Sequence, residues 1–217
     1  MVTGASRGLG RAVAQALRAE GARVFASATR DENLADVRAD GMAGAALDLA
    51  DASSVEEFAR AAAGALGTVD VLINNASVLG HRGDLMDAPS DDVDATVATN
   101  LTGTLRLTRA LLPSMAEGGA IVNVTSGAAA RPGWAGYAVS KAGLDAATHV
   151  LREELSPRGL RVIAVDPGGL RTDMRRDAYP DEDPATLPEP ASIAPLFVAI
   201  ATGEDPGERV KAREWVA

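Results

Sequence analysis

The chain has no cysteine and only two histidines among its 217 residues. The first absence excludes disulfides, thiolate metal sites and a cysteine nucleophile, and the second argues against a histidine-rich metal centre. No apolar run approaches the length needed to cross a bilayer. The opening MVTGASRGLG lacks the basic stretch followed by an apolar one that marks a secretory signal. Positive charge is also in deficit, with 21 Lys and Arg against 30 Asp and Glu for a net charge of −9. Non-specific nucleic-acid binding, which runs on clustered cations, is therefore not expected. What remains is ordinary for a soluble globular chain: 47% hydrophobic and 24% charged residues, enough for one buried core. The reading is a single cytoplasmic domain spanning residues 1–217, with neither a nucleic-acid nor a membrane partner.

Short apolar runs alternate with longer helical patterns. Arg23–Ala28, Gly44–Leu49, Val69–Asn74, Ala120–Thr125 and Arg161–Asp166 are compact and lack strict polar alternation, as parallel strands covered on both faces do. Between them, Arg11–Glu20 ends at Gly21, and Ser53–Ala65 opens with Ser53 or Ser54 ahead of Glu56 and Glu57, a capping-box-like start. Val93, Val97, Leu101 and Leu105 recur every four residues and predict one apolar stripe on a long helix. A further helix begins near Tyr137 and stops before Pro157 and Gly159. Such alternation predicts an α/β fold, a doubly wound, Rossmann-type parallel sheet with helices on both faces. The acidic segment Asp173–Pro190 carries four prolines and reads as a lid or surface loop after a strand's carboxyl end.

Thr3–Gly10 (TGASRGLG) places Gly4, Gly8 and Gly10 where a strand becomes a helix. Glycines permit a tight turn and close backbone approach, and a helix N-terminus offers free N–H groups to a pyrophosphate. In TSGAAARPGWAGYAVSKAG, Tyr137 follows Ser126 by eleven positions and Lys141 lies four beyond Tyr137. A phenol titrates near ~10, so at neutral pH it is a ready acid. A Lys one helical turn on shares its face, and its charge is expected to lower the phenol's pKa. Such a pair can pass a proton to or from a carbonyl or alcohol oxygen held by the Ser hydroxyl. Taken alone, Tyr137 and Lys141 read equally as two amphipathic residues on a helix surface.

Taken together, these motifs resemble those of the classical short-chain dehydrogenase/reductase family over nearly the whole length. Thr3–Gly10 is similar to its T-G-x-x-x-G-x-G. Asn74-Asn75-Ala76-Ser77 is similar to its N-N-A-G, with Ser77 in place of the Gly. The resemblance implies strand order 3-2-1-4-5-6-7, with Asn100 holding a proton-relay water, Ser126 orienting the substrate, Tyr137 as acid/base and Lys141 gripping the nicotinamide ribose. Pro167, Gly168 and Thr172 resemble the P-G-x-x-x-T that closes over the nicotinamide, and Asp48, beside Leu49, resembles an adenine-contacting Asp, with a helix cap as its competing role. Cofactor contacts are thus expected from Thr3, Gly4, Ser6, Arg7, Gly8, Leu9, Gly10, Thr29, Arg30, Asp48, Leu49, Asn75, Ala76, Ser77, Tyr137, Lys141, Pro167, Gly168 and Thr172. No carboxylate follows the second strand until Asp31, whereas Arg7, Thr29 and Arg30 offer guanidinium and hydroxyl groups suited to a 2′-phosphate. That favours NADP(H) over NAD(H).

The implied activity is a hydride exchange between NADP(H) and a small-molecule carbonyl or secondary alcohol, in a homodimer or homotetramer. A catalytically silent NADP(H)-binding sensor is the alternative. A carrier-protein ketoacyl reductase ranks lower, because Met115–Gly119 offers no basic docking patch. Trp134 reads as a substrate-pocket wall or as ordinary packing, and Arg171, Arg175 and Arg176 as a solvated charge cluster beside Asp173 and Asp177. His81 and His149 read as surface or partly buried polar residues. Three departures from the family pattern stand out. Only Met1 and Val2 precede Thr3, so a shortened central strand and an upstream extension of the natural chain are expected. The Ser126–Tyr137 interval is tight around Arg131-Pro132-Gly133. The Thr202–Trp215 segment is compressed, with a last strand expected near Arg209–Ala212.

Overall fold

The computed structural model describes residues 1–215. Its strands are β1 (Phe25–Ala28), β2 (Ala43–Ala46), β3 (Val69–Asn74), β4 (Met115–Val124), β5 (Arg161–Asp166) and β6 (Arg209–Lys211). The helices are α1 (Gly8–Ala19), α2 (Ala35–Ala39), α3 (Ala52–Leu66), α4 (Ser90–Val97), α5 (Thr104–Leu111), α6 (Ala135–Leu155), α7 (Asp173–Ala178) and α8 (Ala194–Ala201). All pairings are parallel: β1 with β2, and β3-β4-β5-β6 in sequence order.

Val2 joins the two groups through single bridges to Ala26 and Ile73. The first strand of the expected order is thus reduced to Met1–Thr3. These three residues still pair on both sides: Val2 N donates to Phe25 O, Ser27 N to Val2 O, Ile73 N to Met1 O and Thr3 N to Ile73 O. The backbone groups of Phe25–Ser27 and Val71–Ile73 therefore keep partners despite the short strand.

Side chains alternate across the sheet into two cores. Val122, Ile163 and Val165 meet Val13 and Leu17 of α1 and Leu196, Phe197 and Ile200 of α8. Ile121, Val162 and Leu72 meet Phe58 of α3 and Leu107 and Leu111 of α5. Apolar strands covered on both faces give the doubly wound α/β architecture read from the sequence.

The helical stripe differs from its expectation. Residues Ser90–Leu111 form one rod with a π-helical turn at Ala98–Gly103. Its buried face carries Thr96, Asn100, Gly103, Thr104, Leu107, Thr108 and Leu111, while Val93, Val97, Leu101 and Leu105 are half-buried on its flank. Asn100, Thr104 and Thr108 hold the interior through hydrogen bonds. Thr104 Oγ1 donates to Asn100 O at 3.1 Å, and Thr108 Oγ1 accepts from Asn74 Nδ2 at 3.1 Å; the same Nδ2 also donates to Asn123 Oδ1 at 2.9 Å. The start of α3 is also capped differently. Asp51, not a serine, accepts from Ser53 N at 2.9 Å.

Candidate active site

The carboxyl ends of the strands open onto one cavity of about 1030 Å³. Open parallel α/β sheets bind ligands at this edge. One end is built by the Gly-rich turn. Gly4 has φ +65°, and a Cβ there would stand 2.9 Å from Ala76 Cα; a Cβ on Gly10 would stand 2.3 Å from Gly4 O. Only glycine lets α1 start this close to the strand ends. The first N–H groups of α1 have no intrahelical acceptor, and no acidic residue occupies its first turn, so the helix end is left for an anion.

Eighteen residues expected at the site or its cofactor end line this cavity: Gly4, Ser6, Arg7, Gly8, Leu9, Thr29, Arg30, Asp48, Leu49, Asn75, Ala76, Ser77, Ser126, Tyr137, Lys141, Pro167, Gly168 and Thr172. Thr3, Gly10 and Asn100 do not line it. The Thr3 hydroxyl accepts from Asn75 N at 2.9 Å and from Ala76 N at 3.0 Å, and so ties the Gly-rich turn to the end of β3. Asn100 Oδ1 accepts from Val78 N, and its Nδ2 donates to Val78 O, both at 2.8 Å, and to Ser140 Oγ at 3.2 Å. Those bonds commit its amide to fixing Val78 and α6. Asp48 receives Ala50 N at 2.9 Å in a local turn and does not cap α3.

At the other end, α6 carries Tyr137 and Lys141 on one buried face, against Ser126 just beyond β4. Lys141 Nζ donates to Val124 O at 2.8 Å and lies 5.6 Å from the centre of the Tyr137 ring. Burial lowers the Lys141 pKa to about 8, opposed by the charge of Asp145. The Tyr137 phenol is shifted the opposite way from the sequence expectation. Burial raises it, the Ser126 hydroxyl lowers it in part, and Asp166 raises it further. Desolvation of the phenolate dominates in this interior, and a lysine that is itself desolvated does not reverse it.

The arc between Ser126 and Tyr137 is tight. Ala130 and Ala135 adopt positive φ, at 57° and 37°. Trp134 does line the cavity, 5.9 Å from the Tyr137 ring and 5.7 Å from Tyr179. The Arg82 guanidinium stacks on its outer side at 3.6 Å. The start of the Asp173–Pro190 segment completes the wall through Met174, Arg175 and Tyr179. Its arginines are ion-paired, Arg175 with Glu182 and Arg176 with Asp173, and Arg171 just before it pairs with Glu189. Of the histidines, His149 pairs with Glu208 on the surface, and His81 N donates to Asp92.

Sequence reasoning missed Asp166, Tyr179 and Arg131 as lining residues. A carboxylate directly before Pro167-Gly168 was a visible signal for the first. Nothing local in the sequence marks the other two.

The residues fit a dinucleotide: an anion-binding helix start with a glycine cradle at one end, and a phenol, a hydroxyl and an ammonium at the other. Among known proteins, the model of the short chain dehydrogenase family matches residues 1–183. The 3-oxoacyl-acyl-carrier-protein reductase FabG of Vibrio cholerae is 35% identical over 219 residues, covering 94% of this chain and 89% of that protein. A short chain dehydrogenase from Salmonella enterica serovar Typhi superposes with a TM-score of 0.91 at 32% identity, covering 98% of this chain and 94% of that one. Another, from Shigella flexneri and complexed with NADP, superposes with a TM-score of 0.90 at 30% identity, covering 98% and 95%. The chain belongs to the short-chain dehydrogenase family of oxidoreductases.

Proposed function

We propose that the protein is an NADP(H)-dependent reductase of carbonyl compounds, or dehydrogenase of the matching secondary alcohols, with Tyr137 as its acid/base. The observation that carries the reading is the convergence of Ser126, Tyr137 and Lys141 with the Gly-rich turn on a single cavity. The cofactor, when bound, supplies or accepts the hydride at its nicotinamide. The chain's own part is position and protons. The free N–H groups at the start of α1 bind the pyrophosphate. Ser126 orients the substrate oxygen, and Tyr137 gives it a proton in reduction or takes one in oxidation. Lys141 holds the ribose, its ammonium 5.6 Å from the centre of the phenol ring. Asn100 keeps Val78 and α6 in place through the bonds described above.

NADP(H) is favoured by the charges at the adenosine end. Arg7, Thr29 and Arg30 line the cavity there. Asp31, the first carboxylate after β1, is held by Arg38 and does not line it. Glu32 and Asp36 do line it, but each is matched by a guanidinium, Glu32 by Arg30 at 3.2 Å and Asp36 by Arg11 at 2.6 Å. Arg7 and Thr29 are thus the groups left to favour a 2′-phosphate. The Shigella relative crystallised with NADP supports the same choice. The segment Asp173–Pro190 acts as a lid over the substrate end.

The test is oxidation of NADPH against a panel of aldehydes, ketones, diketones and a 3-oxoacyl thioester, with NADH as control. Wild type turns over with NADPH on at least one of them, and Tyr137→Phe loses about 10²–10⁴-fold in turnover while still binding NADPH. Equal turnover by Tyr137→Phe sinks the reading. NADPH binding with no turnover of any panel member favours the silent sensor.

A further inference from the structure

Two carboxylates flank the Ser126–Tyr137–Lys141 set, and the chemistry above uses neither. Asp166 ends β5, is 7% exposed and lines the cavity. Its Oδ1 accepts from Gly168 N at 3.0 Å. Asp145 lies one helical turn beyond Lys141 on α6, and its Oδ1 is buried without a partner among the described residues. A guanidinium from the last strand reaches both. Arg209 Nη2 lies 3.6 Å from Asp166 Oδ2, and Arg209 Nε lies 3.4 Å from Asp145 Oδ2. The same Nη2 donates to the Ser126 backbone carbonyl at 3.3 Å. Register explains the meeting: Arg209 pairs with Ala164, two residues before Asp166, so both side chains leave the sheet on one face.

We propose that Arg209 is a positioning residue of the reaction, clamping Asp166 and Asp145 away from the Tyr137 phenol and the Lys141 ammonium while anchoring Ser126. The inference rests on the reductase reading of the site. Between two carboxylates, one guanidinium leaves a single net negative charge beside the phenol. Without it, two free carboxylates stand near a group whose ionisation would add a third charge. Like charge disfavours the phenolate, and the low dielectric of the interior strengthens the effect.

Arg131, Tyr179 and Arg175 also line this cavity, Tyr179 against Trp134 at 5.7 Å with the Arg175 guanidinium 3.8 Å from its ring. Tyr137 faces the Ser126 hydroxyl, Lys141, Asp166 and the Trp134 ring with Arg82 above it. Lys141 faces the Val124 carbonyl and Asp145. Farther out, His149 on α6 is bound to Glu208, and Lys211 on β6 to Glu214, both at the surface. These two surface pairs act on the phenol only through solvent.

In the reducing direction the phenol must carry its proton, so the rate falls as pH rises through the Tyr137 pKa. The experiment measures kcat/KM against pH for NADPH-driven reduction of the panel compound that wild type reduces fastest. It compares Arg209→Gln, Arg209→Lys, Asp166→Asn and Arg209→Gln/Asp166→Asn, with the NADPH Kd of each measured by fluorescence. Arg209→Gln is expected to move the alkaline limb up by about one pH unit. Its kcat should fall about ten-fold as Ser126 loosens, with the NADPH Kd held within about two-fold. Arg209→Lys restores the position of the limb, and adding Asp166→Asn to Arg209→Gln brings it back down. An unmoved limb in Arg209→Gln, or a shift that Asp166→Asn leaves in place, overturns the proposal. If Arg209→Gln fails to fold, Asp166→Asn carries the test alone, with a downward shift expected and no shift contradicting the clamp. A wild type that reduces nothing sinks the reductase reading itself; an active wild type with an unmoved limb sinks only the role of Arg209.

Discussion

The Lys141 ammonium donates a 2.8 Å hydrogen bond to the Val124 carbonyl in an interior that leaves the residue only 2% exposed. Burial brings its pKa down to about 8, whereas an unfolded lysine titrates near ~10.4. The unfolded chain therefore binds more protons between those two values. The buried ammonium destabilises the fold in full below about pH 8, and the penalty fades as pH rises toward ~10.4. A shift of this size corresponds to about 3 kcal/mol, of which the lost hydrogen bond offsets about 1–2. Lys141→Met should thus be more stable than the parent by about 1–2 kcal/mol at pH 7, with turnover lost. Chemical denaturation checks it, and the gain should shrink as pH approaches 10. No gain at pH 7 would contradict the burial cost.

Arg7 faces a competitor for the ligand proposed for it. Its Nη1 lies 2.9 Å from Asp173 Oδ2 at the start of α7, on a side chain 75% exposed. A 2′-phosphate must draw this guanidinium away from Asp173, which also holds Arg176. Exposed ion pairs contribute about 0.2–1 kcal/mol. Asp173→Asn is therefore expected to tighten NADPH binding about two- to five-fold while leaving NADH unchanged. Arg7→Ala should weaken NADPH about ten-fold or more, again sparing NADH. Equilibrium fluorescence titrations with both cofactors decide the point.

Much of the fold and the site was legible because each motif sits at a strand end, and a strand end is marked locally by Gly, Pro or Asn beside an apolar run. Thr3–Gly10, Asn75–Ser77 and Pro167–Thr172 are of this kind, and they meet at one cavity. What stayed hidden depends on contacts between distant parts of the chain. Val93, Val97, Leu101 and Leu105 advertise an apolar face, but Thr108 takes the interior because Asn74, itself bonded to Asn123 of β4, waits on β3. No period in the helix reports those partners. Arg209 likewise reads as a surface cation until β6 is set in register against β5. The direction of the Tyr137 shift was missed for a related reason, since spacing shows that Lys141 is near but not how dry the phenol is.

Asn100 is expected to couple stability to activity without touching the cavity. Its amide satisfies both backbone groups of Val78 and the Ser140 hydroxyl, inside the π-helical turn Ala98–Gly103. Removal strands buried polar groups, at about 1–3 kcal/mol. Asn100→Ala should therefore lower stability by about 2 kcal/mol. Turnover should drop as well, because Ser140 sits between Tyr137 and Lys141 on α6. Asn100→Asp keeps the acceptor for Val78 N but buries a carboxylate oxygen against Val78 O, and should cost at least as much as Asn100→Ala. A thermal melt together with single-substrate kinetics on both variants tests the ordering.

The tight arc before Tyr137 offers the opposite trade. Ala130 is exposed and holds φ 57°, a conformation that an L side chain resists by about 1–2 kcal/mol. Glycine enters this region freely, at the expense of about 0.4–1 kcal/mol in unfolded-chain entropy. Ala130→Gly should therefore gain about 0.5–1 kcal/mol. Ala129→Gly, one residue earlier and outside the positive-φ region, should lose a comparable amount. The arc joins Ser126 to the start of α6, and Ala130 N donates to Ala138 O across it at 3.2 Å. A freer backbone here loosens the distance between the Ser126 hydroxyl and the Tyr137 phenol, so turnover by Ala130→Gly is expected to fall about two- to five-fold as its stability rises. Denaturation midpoints and kcat measured on the same preparations check the pairing, and a glycine at 130 that destabilises would show that the positive φ is not under strain.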